Sequence, residues 1–187
     1  SCMTVTPHWA SEAVKIRDQS EQVDFGLHVT LTDQRSLTDI AENYAERRLP
    51  TVGGLLRAAL TGTLPFGKIE SEIEAQIDAF ERETGFLPRF FDSHHHVHQF
   101  PGIRDCLIAV LKRSPSLQGR FIRNCAEPLS RVLQRRESVL KSAAIGYLGR
   151  SLKTKLQQEG FRTNKGFTGF YHYDAARSTA EVFRILL

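Results

Sequence analysis

Five of the seven histidines in this chain fall in two short stretches. These are Phe25-Gly26-Leu27-His28-Val29-Thr30-Leu31 and Phe90-Phe91-Asp92-Ser93-His94-His95-His96-Val97-His98. Each is an apolar run with its histidines at or near the end. A strand that ends in imidazoles and a carboxylate aims them into a common space, which is how a divalent-metal site is usually assembled. A lone histidine on an apolar strand is more often a hydrogen-bonded core residue, so His28 alone says little. The run His-His-His-x-His after Asp-Ser is the stronger signal. His8 and His172 are isolated and read as ordinary residues.

Spacing limits what the histidines can do together. In one extended strand, Asp92, His94, His96 and His98 would share a face, with Ser93, His95 and Val97 on the other. At ~3.3 Å per residue His94 and His98 would then lie ~13 Å apart, too far for one ion with bonds of ~2.0–2.1 Å. Either the strand ends near His94 and the chain turns, or the histidines have different jobs. The second reading is favoured. It makes His94 a metal ligand, Asp92 an inward carboxylate behind it, and His96 and His98 structural or substrate-facing.

The surrounding elements must place these groups. The chain has 187 residues, enough for one domain (1–187) with a core that needs no disulfide. Strands are expected at Cys2–Thr6, Val23–Leu31, Arg89–Ser93 and Arg120–Asn124. Helices are expected at 11–18, 69–84, from Pro101-Gly102 onward, over 129–158 with a break at Gly146 or Gly149, and from Ser178 to the end. Residues 38–44 read as a turn of helix, 50–67 as a loop with one or two helical turns, and 161–173 as irregular. Ile69, Ile73, Ile77 and Phe80 draw one apolar stripe on the clearest helix, which Gly85 stops. Strand and helix alternate, which favours a parallel α/β sheet or barrel. In such folds chemistry gathers at the C-terminal strand ends, where His28 and His94 sit.

Composition narrows the class. A net charge of +4 with 41% hydrophobic and 25% charged residues is ordinary for a soluble protein. The basic stretch from Arg131 to Lys155 reads as a solvated helix face, since no aromatic interleaving marks it for nucleic acid. Cys2, Cys106 and Cys125 are widely spaced and odd in number, which suits a reducing cytoplasm rather than a disulfide framework. No transmembrane run and no signal peptide is evident.

The two histidine stretches resemble those of the YdjC-like carbohydrate deacetylases, the group that includes chitooligosaccharide deacetylases and hopanoid-biosynthesis-associated deacetylases. Gly26-Leu27-His28-Val29-Thr30-Leu31 is similar to that family's Gly-Leu-His-Leu-Thr-Leu, and Asp92 to His98 with Pro101 to its most specific signature. Glu72-Ile73-Glu74-Ala75-Gln76-Ile77 with Phe80, Phe121-Ile122-Arg123 and Gly166-Phe167-Thr168-Gly169 also have counterparts. The resemblance implies a (β/α) barrel-like fold, often dimeric, that removes acetyl groups from an N-acetylated sugar with a divalent ion, Mg or Zn. Two of the family's metal ligands map onto His28 and His94. The metal would polarise the acetamide carbonyl and activate water, a carboxylate would take the proton, and an acid would protonate the amine. Asp92 and His98 are the candidate catalytic groups. His96 and Arg123 are the candidate substrate contacts, with a structural salt bridge as the alternative for Arg123.

The family also has a first strand ending Asp-Asp-Phe-Gly and a late segment with another catalytic histidine. Neither has a counterpart here, so the barrel is expected to be incomplete and the chain a weak or inactive deacetylase. The alternatives are a truncated member with a structural or interaction role, and metal-dependent hydrolysis of another bond such as a phosphoester.

Overall fold

The computed structural model describes residues 1–19, 21–42, 44–135 and 139–167. Its centre is a three-stranded parallel sheet in the order β1 (Leu27–Val29), β2 (Phe90–Ser93), β3 (Phe121–Ile122). Single parallel bridges widen it, Cys2 joining Leu27 on one side and Arg162 joining Phe121 on the other. The expected strand at Cys2–Thr6 is therefore one bridge followed by a turn, and the others are shorter than the sequence suggested. The parallel α/β expectation holds.

Register organises the two faces. Leu27 pairs with Phe91, and Phe91 with Ile122, giving a fully buried apolar row. His28 pairs with Asp92, and one step further along β3 brings Arg123 beside Asp92. Side chains alternate along a strand, so the apolar row and the His28–Asp92–Arg123 row lie on opposite faces.

Helices cover the sheet. In α1 (Trp9–Gln19), Trp9 stacks on Phe80 at 5.6 Å and its indole N–H donates to the Ala79 carbonyl. The stripe Ile69, Ile73, Ile77 and Phe80 is buried in α3 (Phe66–Thr84), which begins three residues before the predicted start. Gly85 ends it in the left-handed conformation, at φ 82°. On α4 (Ile103–Arg113), Ile103, Leu107, Val110 and Leu111 are buried, as their spacing predicted.

Two helical expectations need correction. Residues 52–61 form a ten-residue helix, α2 (Val52–Thr61), where a loop with one or two helical turns was expected. Thr51 caps it by accepting from the Gly54 N–H, which offsets the poor propensity of Gly53 and Gly54. The long C-terminal helix does not break at its glycines. After α5 (Leu129–Arg135), α6 runs from Val139 to Gln158 straight through Gly146 and Gly149. A Cβ on Gly149 would lie 2.4 Å from the Ala126 nitrogen, so this glycine lets the helix press against the 125–127 backbone. The final helix expected from Ser178, and residues 168–173 of the irregular segment, lie outside the described residues.

Candidate metal centre

β2 ends at Ser93 and the histidines occupy a tight 3-10 turn, His94–Gln99. The face-sharing drawn for an extended run therefore stops at Ser93, and of the two alternatives the chain does turn. His95 and His96 both take left-handed backbone angles, φ 52° and 57°, which curls the stretch back over the strand ends. Such conformations are uncommon for residues with a Cβ and recur at functional sites.

His28 and Asp92 are direct cross-strand partners, and His28 Nδ1 lies 2.7 Å from Asp92 Oδ1. A carboxylate can only accept, so Nδ1 carries the proton and the Nε2 lone pair is left for a ligand. The other carboxylate oxygen, Oδ2, accepts from Arg123 at 2.8 Å and from the Ser1 hydroxyl at 3.1 Å. Burial alone would raise the Asp92 pKa. Burial is the largest single influence, but the His28 hydrogen bond, the electrostatics of His28 and Arg123 and the Ser1 hydrogen bond together outweigh it and hold the carboxyl below its ordinary value. Arg123 also lies over the Phe167 ring, 5.5 Å from its centroid. The salt bridge weighed for Arg123 is thus present.

His94 is brought next to His28, their rings 5.8 Å apart between centroids. Partial burial, then the nearby His95 and His28, push its pKa down and favour the neutral, ligating form. Its other neighbour is His95, 3.8 Å away between ring centroids. The His95 Nδ1 is 3.0 Å from the Thr32 hydroxyl and 3.4 Å from Asp33 Oδ2. Ligand atoms of Asp33, His94 and His95 all lie within 4.8 Å of one another.

His98 does not open onto this cluster. It is buried, with Nε2 2.6 Å from the Arg123 carbonyl and Nδ1 2.5 Å from the Ser93 hydroxyl. The carbonyl requires Nε2–H, so Nδ1 accepts from Ser93, whose oxygen accepts the His98 backbone N–H. Both ring nitrogens are engaged, and burial pushes the pKa down to about 4. This geometry ties β2 to the residue that follows β3 through His98. His96 is also held near 4, mainly by burial and then by His98 and Arg123. Its Nδ1 lies 3.4 Å from Cys125 Sγ and its ring meets Phe167 edge-on at 5.8 Å. Burial raises the Cys125 thiol to about 12, so no thiolate forms there at neutral pH.

The end of β1 is fixed from α3. Gln76 accepts the Thr30 N–H through Oε1 and donates to the Thr30 carbonyl through Nε2. The buried Glu72 accepts from Gln76, from the Leu37 and Thr38 backbone N–H groups and from the Thr38 hydroxyl. This network steadies the loop that carries Thr32 and Asp33. Sequence reasoning missed Asp33, His95 and Thr32. The signal available for Thr32 and Asp33 was their place just past an apolar strand end.

The chain is 34% identical over 119 residues to the chitooligosaccharide deacetylases of Yersinia pestis (strain Pestoides F) and Yersinia pseudotuberculosis serotype O:1b. That match covers 61% of this chain and 44% of each relative, so the chain spans less than half the length of these curated relatives. The fold is similar to that of a crystal structure from Enterococcus faecalis V583 named for cellobiose-phosphate cleavage. The TM-score is 0.65 at 17% identity, covering 98% of this chain and 61% of the other. The family model described as YdjC-like protein matches residues 1–187, and the chain belongs to that family.

Proposed function

We propose that this chain carries the core of a divalent-metal site of a carbohydrate deacetylase that hydrolyses the acetamide of an N-acetylated sugar to acetate and a free amine. The observation that carries this reading is the His28–Asp92 pair with His94 5.8 Å away between ring centroids. The names of the Yersinia relatives support the substrate class. His28 and His94 would hold the ion, and their imidazole donors suit zinc better than magnesium. An ion held there supplies Lewis-acid polarisation of the acetamide carbonyl.

The protein's own groups orient the site. Asp92 fixes the His28 tautomer, and the His28 hydrogen bond together with Arg123 favours the ionised Asp92. His96 within the histidine turn and Arg123 beside it are the proposed sugar contacts, while His98 holds β2 and β3 in register. The three free cysteines fit a reducing compartment such as the cytoplasm. Among the described residues, no helix is long and apolar enough to cross a membrane. Exposed Leu129, Leu133, Leu140 and Tyr147 on α5 and α6 support self-association as a homodimer.

A second reading, an ion-binding fold without turnover, is favoured by one observation. Both Asp92 oxygens are already occupied by His28, Ser1 and Arg123, so this carboxylate is poorly placed to take a proton from water. The test is acetate release from N-acetylglucosamine oligosaccharides with added zinc or magnesium. Release that disappears in His94→Ala supports the enzyme. Retained ion binding with no acetate from any of these substrates would overturn it in favour of the second reading.

A further inference from the structure

Asp33 and His95 are the cluster's two groups that the deacetylase reading leaves without a role. Asp33 sits in a turn held from both sides. Its N–H donates to the Pro50 carbonyl at 3.2 Å, and its own carbonyl accepts from Arg48 at 3.1 Å. Its backbone is left-handed, φ 60°, as is that of His95, φ 52°. Two strained residues from different loops thus present a carboxylate and an imidazole to each other. The loop on one side is anchored by the buried Thr32 and by Gln76, and the turn on the other by Ser93 and His98.

The Asp33–His95 separation is informative. At 3.4 Å between Oδ2 and Nδ1 it is long for a charge-assisted hydrogen bond, which is usually ~2.7–2.9 Å. Two ligands of one tetrahedral ion with bonds of ~2.1 Å stand ~3.4 Å apart. His94 adds a third donor, with all three ligand atoms within 4.8 Å of one another, so small side-chain rotations close the set.

We infer that Asp33, His94 and His95 form a second divalent-cation position, on the outer side of His94 from His28. Two imidazoles and a carboxylate form a donor set characteristic of zinc and its neighbours in the first transition row. A neutral imidazole has a single lone pair, so an ion in the outer position takes His94 away from the His28 side. Among the described residues, the outer position offers three ligands, one of them charged, against two imidazoles on the inner side. It is the tighter of the two in this chain.

The experiment titrates the whole chain with cobalt(II), read by visible absorption, and with zinc by calorimetry. The variants are Asp33→Asn, His95→Ala and His28→Ala, each checked for folding by circular dichroism. Asp33→Asn and His95→Ala are expected to weaken binding tenfold or more and to change the cobalt spectrum, with His28→Ala changing affinity less than threefold. In the unsubstituted chain, cobalt should broaden the His95 ring-proton resonances together with those of His94, a readout that needs no variant. Loss of binding in His28→Ala with Asp33→Asn and His95→Ala unaffected would overturn the inference. So would an unsubstituted chain that binds neither ion. Ion binding is measured without turnover, so the result is separate from the fate of the deacetylase reading.

Discussion

His28 and Asp92 face each other across parallel strands in register, and the 2.7 Å contact between them determines which imidazole nitrogen is free. Replacing Asp92 with Ala removes that control and leaves Arg123 without its carboxylate. Partners of this kind typically change metal affinity by about 10- to 100-fold. Asp92→Ala should therefore weaken any ion bound through His28 to that extent, measured by calorimetry in a chain that also carries Asp33→Asn. Unchanged affinity would mean that the carboxylate does not orient the ring.

His98 gives a pH prediction with a definite sign. Its folded pKa, about 4, lies below the ordinary 6.5, so the unfolded chain binds the proton more readily. Its contribution is intact above pH 6.5 and falls away as the pH drops towards 4, by roughly 3 kcal/mol in all. Urea unfolding across that range should show stability falling with pH, and His98→Gln should flatten the slope. His96, lowered to a similar value, keeps the variant from becoming fully pH-independent.

Two glycines should respond in opposite directions. A Cβ on Gly149 meets backbone at 2.4 Å and 2.6 Å, atoms that cannot swing aside, so Gly149→Ala should cost about 1–3 kcal/mol. A Cβ on Gly53 in α2 meets nothing within 4 Å, so Gly53→Ala should stabilise by roughly 0.5–1 kcal/mol. Equal effects in thermal melts would contradict the account of why α6 tolerates its glycines.

Gln76 acts as a substitute strand neighbour for Thr30. Gln76→Ala strands the two Thr30 backbone groups, while Glu72 Oε1 keeps the Leu37 N–H, and should cost about 1–3 kcal/mol. Gln76→Glu should cost more, because it sets a second acid against Glu72 in a dry environment. Chemical denaturation would order the two.

The shared lone pair of His94 makes a kinetic prediction that depends on the deacetylase reading. Zinc fills the outer position first, so about one equivalent should suppress acetate release, and Asp33→Asn should restore it. Inhibition that persists unchanged in Asp33→Asn would locate the inhibitory ion elsewhere.

What could be read from the residues followed their periodicity. The α3 stripe and the apolar run into Asp92 are repeated signals, and both landed where spacing put them. Glycine misled twice for one reason. Its local preference says loop or break, whereas Gly53 and Gly54 are held by the Thr51 cap and Gly149 answers to a close backbone neighbour. The histidine run was harder, because an extended chain and a curled one share the same letters. Only tertiary packing decides that Ser93 ends the strand. Asp33 belongs to no periodic pattern, and its relation to His95 spans 62 positions that only the folded loops bring together.

The left-handed pair at 95 and 96 narrows what the turn can accept as it diverges. Glycine or asparagine could follow the same curl, while valine or isoleucine would force it open and carry the neighbouring imidazole out of reach. Variation at these two positions is therefore governed first by backbone shape, and only afterwards by what the side chains can bind.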